Sequence, residues 1–393
     1  MSQPLYIHDF SFHSILGHDK SEVFQKLVNG TRGNFTTLDF LDNHFHVSNI
    51  DTTNFPPTGN PYFNERINRL AEISLRDIDA SVRAAIAKYG NDRVGVFIGS
   101  CDNGSEISIN ALRYQKEHGH FPEGYTLDKQ KADFPLHYIM ERFGLKGLCA
   151  LQSTACGSSA TAVATARHHI AAGDCDAAII GGVDIASLAV VLGFNSLSAV
   201  SSELTIPFSK NRTGITLGDG SAFFLVSKDS EGAKFKISGI GESADADHIT
   251  APRADGEGAR MAMQRALDDA GLTAKDIDYV NLHGTGTHLN DSMEGKAVYN
   301  IFADNVPCSS TKALTGHTLG AAGAMELGFC CLVLSDMNPE GLLPVHCYDG
   351  DFDPEIPAIR LVKKGDSCKG IRRAQSNSFA FGGCNVSLIV EKV

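Results

Sequence analysis

The chain has 393 residues and a formal net charge of −12, from 46 acidic and 34 basic side chains. Hydrophobic residues make up 42% and charged residues 20% of the chain, which excludes a disordered protein and allows two core-forming halves. The acidic balance argues against general nucleic-acid binding, so an acidic partner would need a local basic patch.

The cysteines and the start of the chain bear on its compartment. Ten cysteines occur, none in the CxxC spacing of a zinc or redox site, and the start lacks the pattern of a signal peptide. The longest uncharged stretch, roughly residues 185–202, contains Gly193 and several serines, which favours buried core over a membrane span. We therefore expect reduced thiols in the cytoplasm, no membrane span and no metal site.

The first half alternates short apolar runs with segments of helical periodicity. Residues 94–98 form a continuous apolar run before a polar glycine loop, which is typical of a strand covered on both faces. Residues 41–63 and about 101–134 show no clear periodicity and are expected to be loop-like. In chain order we expect a strand from residue 5, helices over 21–28 and 64–88, strands over 94–98 and 148–152, a helix over 160–172, and strands over 176–184 and 222–226.

The second half follows a polar segment, residues 228–234, which we take as the crossover between halves. It again alternates strands with helices. We expect strands over 235–240 and 278–282, helices over 256–270 and 319–334, and a last strand over 386–390. The pattern predicts an α/β fold of two similar halves, residues 1–230 and 231–393.

Cys156 lies in the motif TACGSS, where a predicted strand turns into a predicted helix. Unpaired backbone N–H groups at a helix N-terminus favour negative charge, so this position favours a thiolate and a nucleophile. An inert buried cysteine is the alternative, because free cysteines in small-residue segments are usually buried.

His283 opens the motif HGTGT directly after the strand expected over residues 278–282. Its glycines let the backbone turn sharply beside a ligand, and Thr285 and Thr287 supply hydroxyl groups. A structural histidine is the alternative interpretation.

His317 lies within KALTGHTLGAAGAME, at the start of a helix of small residues, as the expected counterpart of Cys156. The helix dipole disfavours an imidazolium there, so we expect a neutral hydrogen-bond donor. Lys312 and Glu326 stand in otherwise apolar surroundings and are expected to face each other, since unpaired buried charges are costly. The alternative is that both point to solvent.

A third element, NSFAFGGCN at residues 377–385, alternates aromatic with small residues. This pattern favours a loop that lines an apolar pocket and offers backbone N–H groups to an oxyanion. A tight turn before the last strand is the alternative.

These motifs, in this order, resemble those of the β-ketoacyl-[acyl carrier protein] synthases, the ketosynthases of fatty-acid and polyketide synthesis. The resemblance is to the elongating class and covers nearly the whole chain. It implies a thiolase-like fold, in which two βαβαβαββ halves form an α-β-α-β-α sandwich. It also implies condensation of an acyl thioester with malonyl-[acyl carrier protein], substrates carried on the phosphopantetheine arm with no bound cofactor, and a homodimer or a heterodimer with a chain-length subunit.

The resemblance also assigns roles to residues. Cys156 would carry the acyl chain, and His283 and His317 would stabilise the enolate formed when carbon dioxide leaves. The N–H groups of Cys156 and Phe381 would hold the oxyanion, and Phe381 with Phe194 would form an aromatic gate. Further implied residues are the structural pair Lys312 and Glu326, the loop residue Gly382, the substrate contacts Thr285 and Thr287, and a docking patch of Arg66, Arg69, Lys129 and Lys131 for an acidic carrier protein.

The chain departs from the family pattern at four positions and over residues 101–131, a region that in the family contributes to the acyl pocket and the dimer contact. Ala380 replaces a usual glycine, which should stiffen the gate, and Cys384 stands where threonine is usual. Ser209 and Asp219 replace a common aspartate and a common glutamate. These changes suggest substrates other than ordinary saturated chains, as in a type II polyketide or polyene pathway.

Three alternatives within this resemblance carry less support. A degradative thiolase needs a second cysteine before a C-terminal glycine turn, whereas Cys384 follows that turn. A non-catalytic chain-length subunit would lack the nucleophile, and the initiating class has asparagine in place of the second histidine.

Overall fold

The computed structural model describes residues 3–102 and 104–393. Residues 1 and 2, at the start where no signal peptide is predicted, and residue 103, in a region expected to be loop, lie outside them. The helices are α1 (Lys20–Asn29), α2 (Arg66–Asp77), α3 (Asp79–Tyr89), α4 (Ser105–His118), α5 (Phe134–Phe143), α6 (Ser158–Ala172), α7 (Leu188–Ser196), α8 (Glu257–Ala270), α9 (His288–Phe302), α10 (Lys312–Thr315) and α11 (Ala322–Leu334). The strands are β1 (Leu5–His13), β2 (Thr36–Phe40), β3 (Asn43–Ser48), β4 (Val94–Gly99), β5 (Cys149–Gln152), β6 (Ala177–Asp184), β7 (Leu217–Gly218), β8 (Gly220–Ser227), β9 (Phe235–Ala244), β10 (Tyr279–Asn281), β11 (Cys308–Ser309), β12 (Arg373–Phe379) and β13 (Cys384–Lys392).

The strands of the large sheet fall into two sets with the same pairing pattern. In the first set β5, β4 and β6 pair in parallel, and β6–β8 and β8–β1 pair antiparallel. In the second set β11, β10 and β12 pair in parallel, and β12–β13 and β13–β9 pair antiparallel. A short β1–β9 pairing joins the sets into one 10-stranded sheet. The repeated order confirms the predicted fold of two similar α/β halves.

Side chains along each strand alternate between two cores, because successive strand residues point to opposite faces. In β6, Ala178 and Ile180 face a central core, whereas Ala177 and Ile179 face an outer one. Helices α6 and α11 lie in the central core, and all residues of α11 are buried. Helices α2, α3 and α5 cover the first set of strands and α8 and α9 the second, which gives the layers α-β-α-β-α.

The structure corrects the sequence analysis in three segments. The helix expected over residues 64–88 breaks at Ile78 into α2 and α3, although apolar residues continue through the break. The segment 41–63, expected to be loop-like, contains β3, which forms a hairpin with β2 and pairs with β7. The segment 101–134, also expected to be loop-like, contains α4. The helical periodicity of its apolar residues is weak because Ala111 is the one buried residue of the helix. Within the described ranges, no helix combines the length and apolar character needed to cross a bilayer.

Candidate active site

Cys156 sits in a tight turn between β5 and α6, as the sequence predicts. The turn is a 3₁₀ segment, Ala155–Gly157, and Ala155 has φ +49°, a conformation that L side chains rarely adopt. The hydroxyl of Ser158 accepts from the N–H of Thr154 at 2.9 Å and donates to the carbonyl of Ala155 at 2.6 Å. These bonds hold the turn and fix Cys156 at the N-terminus of α6.

The thiol of Cys156 is buried and faces several hydrogen-bonding groups. Nε2 of His317 lies 3.0 Å from Sγ, and the backbone N–H groups of Phe381 and Cys156 are directed at the sulfur. Burial nevertheless raises the pKa of Cys156 to about 11, although the ammonium of Lys312 and the two N–H groups act to lower it. The expectation of a stabilised resting thiolate is therefore wrong, because desolvation outweighs the helix terminus. The nucleophile rests as a thiol.

His283 is held as a neutral imidazole with its proton on Nε2. The ammonium of Lys312 lies 3.5 Å from Nδ1 and also donates to the backbone carbonyl of His283 and to the carboxylate of Glu326. Because an ammonium group can only donate, Nδ1 accepts and Nε2 carries the hydrogen. Burial, with Lys312 next, holds the pKa of His283 well below its usual range. The predicted contact of Lys312 with Glu326 is confirmed.

His317 is held in the same protonation state by different contacts. The N–H of Leu319 lies 3.3 Å from Nδ1, which leaves the hydrogen on Nε2, the atom nearest Cys156. Burial, followed by Lys312, holds the pKa of His317 well below its usual range. Backbone bonds with Thr216 and Gly218 tie His317 to β7, so the β2–β3–β7 sheet supports the site. The expected neutral donor is confirmed.

In the internal duplication, the residue of the second half that is equivalent to Cys156 is Gly320 and not His317. The 3₁₀ turn Leu319–Ala321 precedes α11 as the turn of Cys156 precedes α6, and Leu319 has φ +54°. His317 therefore lies three positions before the true counterpart. The expected equivalence is wrong, because two turns of the same shape carry their functional residues at different positions.

Two buried carboxylates that the sequence analysis did not single out position the site. Glu294 accepts the N–H groups of His283 at 2.7 Å and of Gly284 at 2.6 Å. Asp184 accepts the N–H of Gly320 at 2.6 Å and backbone and hydroxyl donors of residues 100–102. The sequence signal available for Glu294 was a charged residue on the helix that follows the HGTGT motif. The signal available for Asp184 was a charged residue at the end of a buried strand, β6.

Three adjoining cavities lie at or beside Cys156, His283 and His317. A central cavity of about 20 Å³ is lined by Cys156, His283 and His317, together with Thr285 and Thr287. An entrance cavity of about 240 Å³ opens beside it and shares Thr287 with it. A third, apolar cavity of about 510 Å³, here called the inner cavity, shares Cys156 with the central one. Cys156 thus borders both the small central cavity and a larger apolar cavity that could hold a long, narrow chain.

Phe194 and Phe381 stand between these cavities. Both line the central and inner cavities, and their ring centroids lie 5.7 Å apart. Phe381 also lines the entrance cavity, and the next residue, Gly382, has φ +86° and donates to the carbonyl of Ile249. Ala380 adopts no left-handed conformation, so its side chain fits the turn without backbone strain. The pair occupies the position of a gate.

The cysteine and two histidines also form a group that could hold a metal ion, with donor atoms within 4.8 Å of one another. To bind a metal through Nε2, each histidine would have to lose the Nε2 hydrogen and carry it on Nδ1 instead. That Nδ1–H would then point at another donor, Lys312 for His283 and the N–H of Leu319 for His317. The arrangement suits two N–H donors to a substrate oxygen better than it suits metal ligands.

The four residues predicted to dock an acidic partner lie in different settings. Arg66 is paired with the fully buried Asp219, and Lys129, 7% exposed, lies 2.6 Å from Glu65. Arg69 contacts Asn64 and Thr52, and Lys131 pairs with Asp128 at the surface. The structure therefore does not bring them together as a free basic patch.

Comparison with known proteins gives consistent matches over most of the chain. The family models described as "Beta-ketoacyl synthase, N-terminal domain" and "Beta-ketoacyl synthase, C-terminal domain" match residues 67–232 and 235–340. The 3-oxoacyl-[acyl-carrier-protein] synthase 2 of Staphylococcus aureus is 32% identical over 345 residues, 84% of this chain and 82% of the relative.

Solved structures agree. A chain of the complex between a ketosynthase and its chain length factor from Xenorhabdus doucetiae is 35% identical, with a TM-score of 0.91 over 100% of this chain and 98% of that one. A beta-ketoacyl synthase from Burkholderia phymatum is 27% identical, with a TM-score of 0.84 over 100% of both chains.

Proposed function

Since the chain belongs to the beta-ketoacyl synthase family, we propose that it joins a Cys156-bound acyl group to malonyl-[acyl carrier protein], releasing carbon dioxide and a β-ketoacyl-carrier protein. This is chain elongation in fatty-acid or polyketide synthesis. The observation that carries the proposal is the convergence of Cys156, His283 and His317, whose donor atoms lie within 4.8 Å of one another around the central cavity, while Cys156 also lines the apolar inner cavity.

The first step is acyl transfer to Cys156. The sulfur attacks the thioester carbonyl, a new C–S bond forms, and the bond to the phosphopantetheine sulfur breaks. The thiol proton passes to the departing thiolate, so charge and protons balance. The N–H groups of Cys156 and Phe381, which face the sulfur, are suited to hold the oxyanion. The apolar inner cavity would then hold the acyl chain.

The second step is decarboxylation followed by carbon–carbon bond formation. The malonyl carboxylate leaves as carbon dioxide, and its electron pair becomes an enolate whose oxygen accepts from Nε2 of His283 and of His317. The enolate carbon attacks the acyl-Cys156 carbonyl, the C–S bond breaks, and the released thiolate takes up a proton. Neutral imidazoles suit this task, because they stabilise the charge by donation and keep their protons.

The enzyme would need no metal or prosthetic group of its own. We propose that the substrates arrive on the phosphopantetheine arm of an acyl carrier protein, and that the halves 1–230 and 231–393 build one site. The chain would pair with a second copy or with a chain-length subunit; the Xenorhabdus ketosynthase, solved with its chain length factor, supports such pairing. Ten free cysteines are compatible with a cytoplasmic location.

The alternative of a non-catalytic chain-length subunit is not favoured, because the nucleophile and both histidines are present and converge. Intact-mass spectrometry with saturated, unsaturated and aryl acyl-carrier thioesters tests the proposal. We expect an adduct that Cys156→Ala abolishes and that Cys384→Ala, a change in a neighbouring thiol, preserves. Condensation by the Cys156→Ala variant, or no adduct from any donor, would overturn it.

A further inference from the structure

Basic side chains gather in one segment near the C-terminus of an otherwise acidic chain. Residues 360–373 hold six basic residues and one acid, whereas the whole chain carries a formal net charge of −12. One of the six, Arg373, is paired with Glu391, and no ion pair is found for the other five among the residues that the structure describes. We call these five exposed residues the basic edge: Arg360, Lys363, Lys364, Lys369 and Arg372.

The backbone that carries the basic edge is held against the body of the protein. Leu361 pairs in parallel with Cys308 of β11, the outermost strand of the large sheet. The chain then makes two turns, in which Gly365 and Gly370 have φ +90° and +75°, conformations that glycine adopts without strain. Between the turns, the N–H of Cys368 donates at 2.7 Å to the loop that follows α11. The cationic side chains therefore project from ordered backbone.

Two acids beside the basic edge are engaged by backbone groups. The carboxylate of Asp366 accepts the N–H of Lys363 at 3.0 Å, and that of Asp278 accepts the N–H of Arg372 at 2.8 Å. A third acid, Glu340, is exposed and lies in the loop after α11 that contacts this segment. The cationic side chains thus keep most of their charge free for an outside partner.

The basic edge lies away from the catalytic centre. Arg372 and Asp278 directly precede the parallel strands β12 and β10. His283 and Phe381 follow the opposite ends of the same two strands. The reaction proposed above therefore makes no use of this surface.

The chemistry of the basic edge fits a layer of anionic lipid headgroups. No residue from 338 to 392 exposes a large apolar side chain, whereas a protein partner is usually held by such anchors. Clustered Lys and Arg side chains are attracted to anionic lipids without any shaped pocket. At about 100 mM salt, charges more than about 10 Å away are largely screened, so the acidic remainder of the chain does not cancel this patch. We propose that the basic edge docks the chain on a membrane that exposes anionic lipids.

Co-sedimentation of the full chain with vesicles tests the proposal. At about 100 mM NaCl we expect binding to phosphatidylcholine vesicles that contain about 30% phosphatidylglycerol, and none to phosphatidylcholine alone. The variant Lys363→Gln/Lys364→Gln/Lys369→Gln should bind about 100-fold more weakly, because three of the five free cations are lost. Glu340→Gln, which removes the exposed acid, should strengthen binding about threefold.

The matched control makes the same change of charge elsewhere. Lys116→Gln/Lys146→Gln/Lys210→Gln alters three exposed lysines in other parts of the chain and should leave vesicle binding within about threefold. Equal losses in the two triple variants, equal binding to both kinds of vesicle, or no binding to either would overturn the proposal. Tighter binding to a short DNA duplex or to polyglutamate would also overturn it, since the partner would then be another polyanion. The assay uses no substrate, so it can fail independently of the proposed reaction.

Discussion

Nζ of Lys312 lies 3.5 Å from Nδ1 of His283, and the same ammonium group donates to the buried carboxylate of Glu326. One buried cation therefore sets the tautomer of a histidine and neutralises an acid. These two effects can be separated by substitution, because Glu326 contacts Lys312 and not the histidine ring.

The Lys312→Met variant should lose decarboxylation more than acylation. We expect malonyl decarboxylation to fall about 100-fold, since Nε2 of His283 would no longer be held as a donor. The free energy of unfolding should fall by about 3–5 kcal/mol, because Glu326 is left buried without its partner. Mass spectrometry of the carrier-bound products and urea denaturation measure the two effects.

The matched control is the double variant Lys312→Met/Glu326→Leu, which removes both charges. It should regain most of the stability but not the decarboxylation rate. Recovery of both together would mean that Lys312 acts only through stability.

The alkylation rate of Cys156 should rise steeply with pH. Its pKa of about 11 lies above that of a free thiol, and the thiolate is the reacting form. The iodoacetamide rate should therefore increase about tenfold per pH unit between about pH 7 and pH 10. Intact-mass spectrometry, with Cys156→Ala giving the background of the other thiols, measures it. A plateau below pH 8 would show that the helix terminus outweighs burial after all.

Local pattern was sufficient to single out Cys156, His283 and His317 as candidates, and the family resemblance then assigned their roles. Cys156 lies four residues after the end of β5 and His283 two residues after the end of β10, and a strand end restricts where the following side chains emerge. The pairing of Lys312 with Glu326 was also predictable, because two charges in an apolar segment have few other ways to be stable.

Contacts between distant segments were not predictable from one sequence. Asp184 binds the turn at Gly320, and the β3–β7 pairing links residues about 170 positions apart, with no local signal for either. Helix α4 was not predicted for the opposite reason. Its sequence is polar and little of it is buried against the core, so its apolar residues show no helical periodicity. The internal ion pairs of Arg66 and Lys129 likewise depend on acids elsewhere in the chain.

Asp184→Asn should destabilise the protein, although the two side chains have nearly the same size. Both carboxylate oxygens accept hydrogen bonds, from the N–H of Cys101 at 2.9 Å and of Gly320 at 2.6 Å among others. An amide nitrogen would face one of these buried donors, which should lower the free energy of unfolding by about 3 kcal/mol. Urea denaturation measures it, and the exposed Asp174→Asn should shift it by less than about 0.5 kcal/mol. Equal stability of the two variants would show that these bonds contribute nothing net.

Phe194→Ala should shorten the lifetime of the acyl-enzyme. The Phe194 ring packs against Phe381 at 5.7 Å and separates the central cavity from the inner one. Without the ring, water should reach the thioester on Cys156, and its hydrolysis should accelerate about tenfold. The decay of the adduct, followed by intact mass with no malonyl donor present, measures this.

Val190→Ala is the matched control for the gate. Val190 belongs to the same helix, α7, and lines the inner cavity but not the central one. The substitution therefore enlarges the space for the acyl chain while the Phe194–Phe381 contact stays in place, and the adduct should decay within about twofold of the unsubstituted rate. If both variants lost the adduct equally fast, the volume of the inner cavity, and not the ring pair, would control access of water to the thioester.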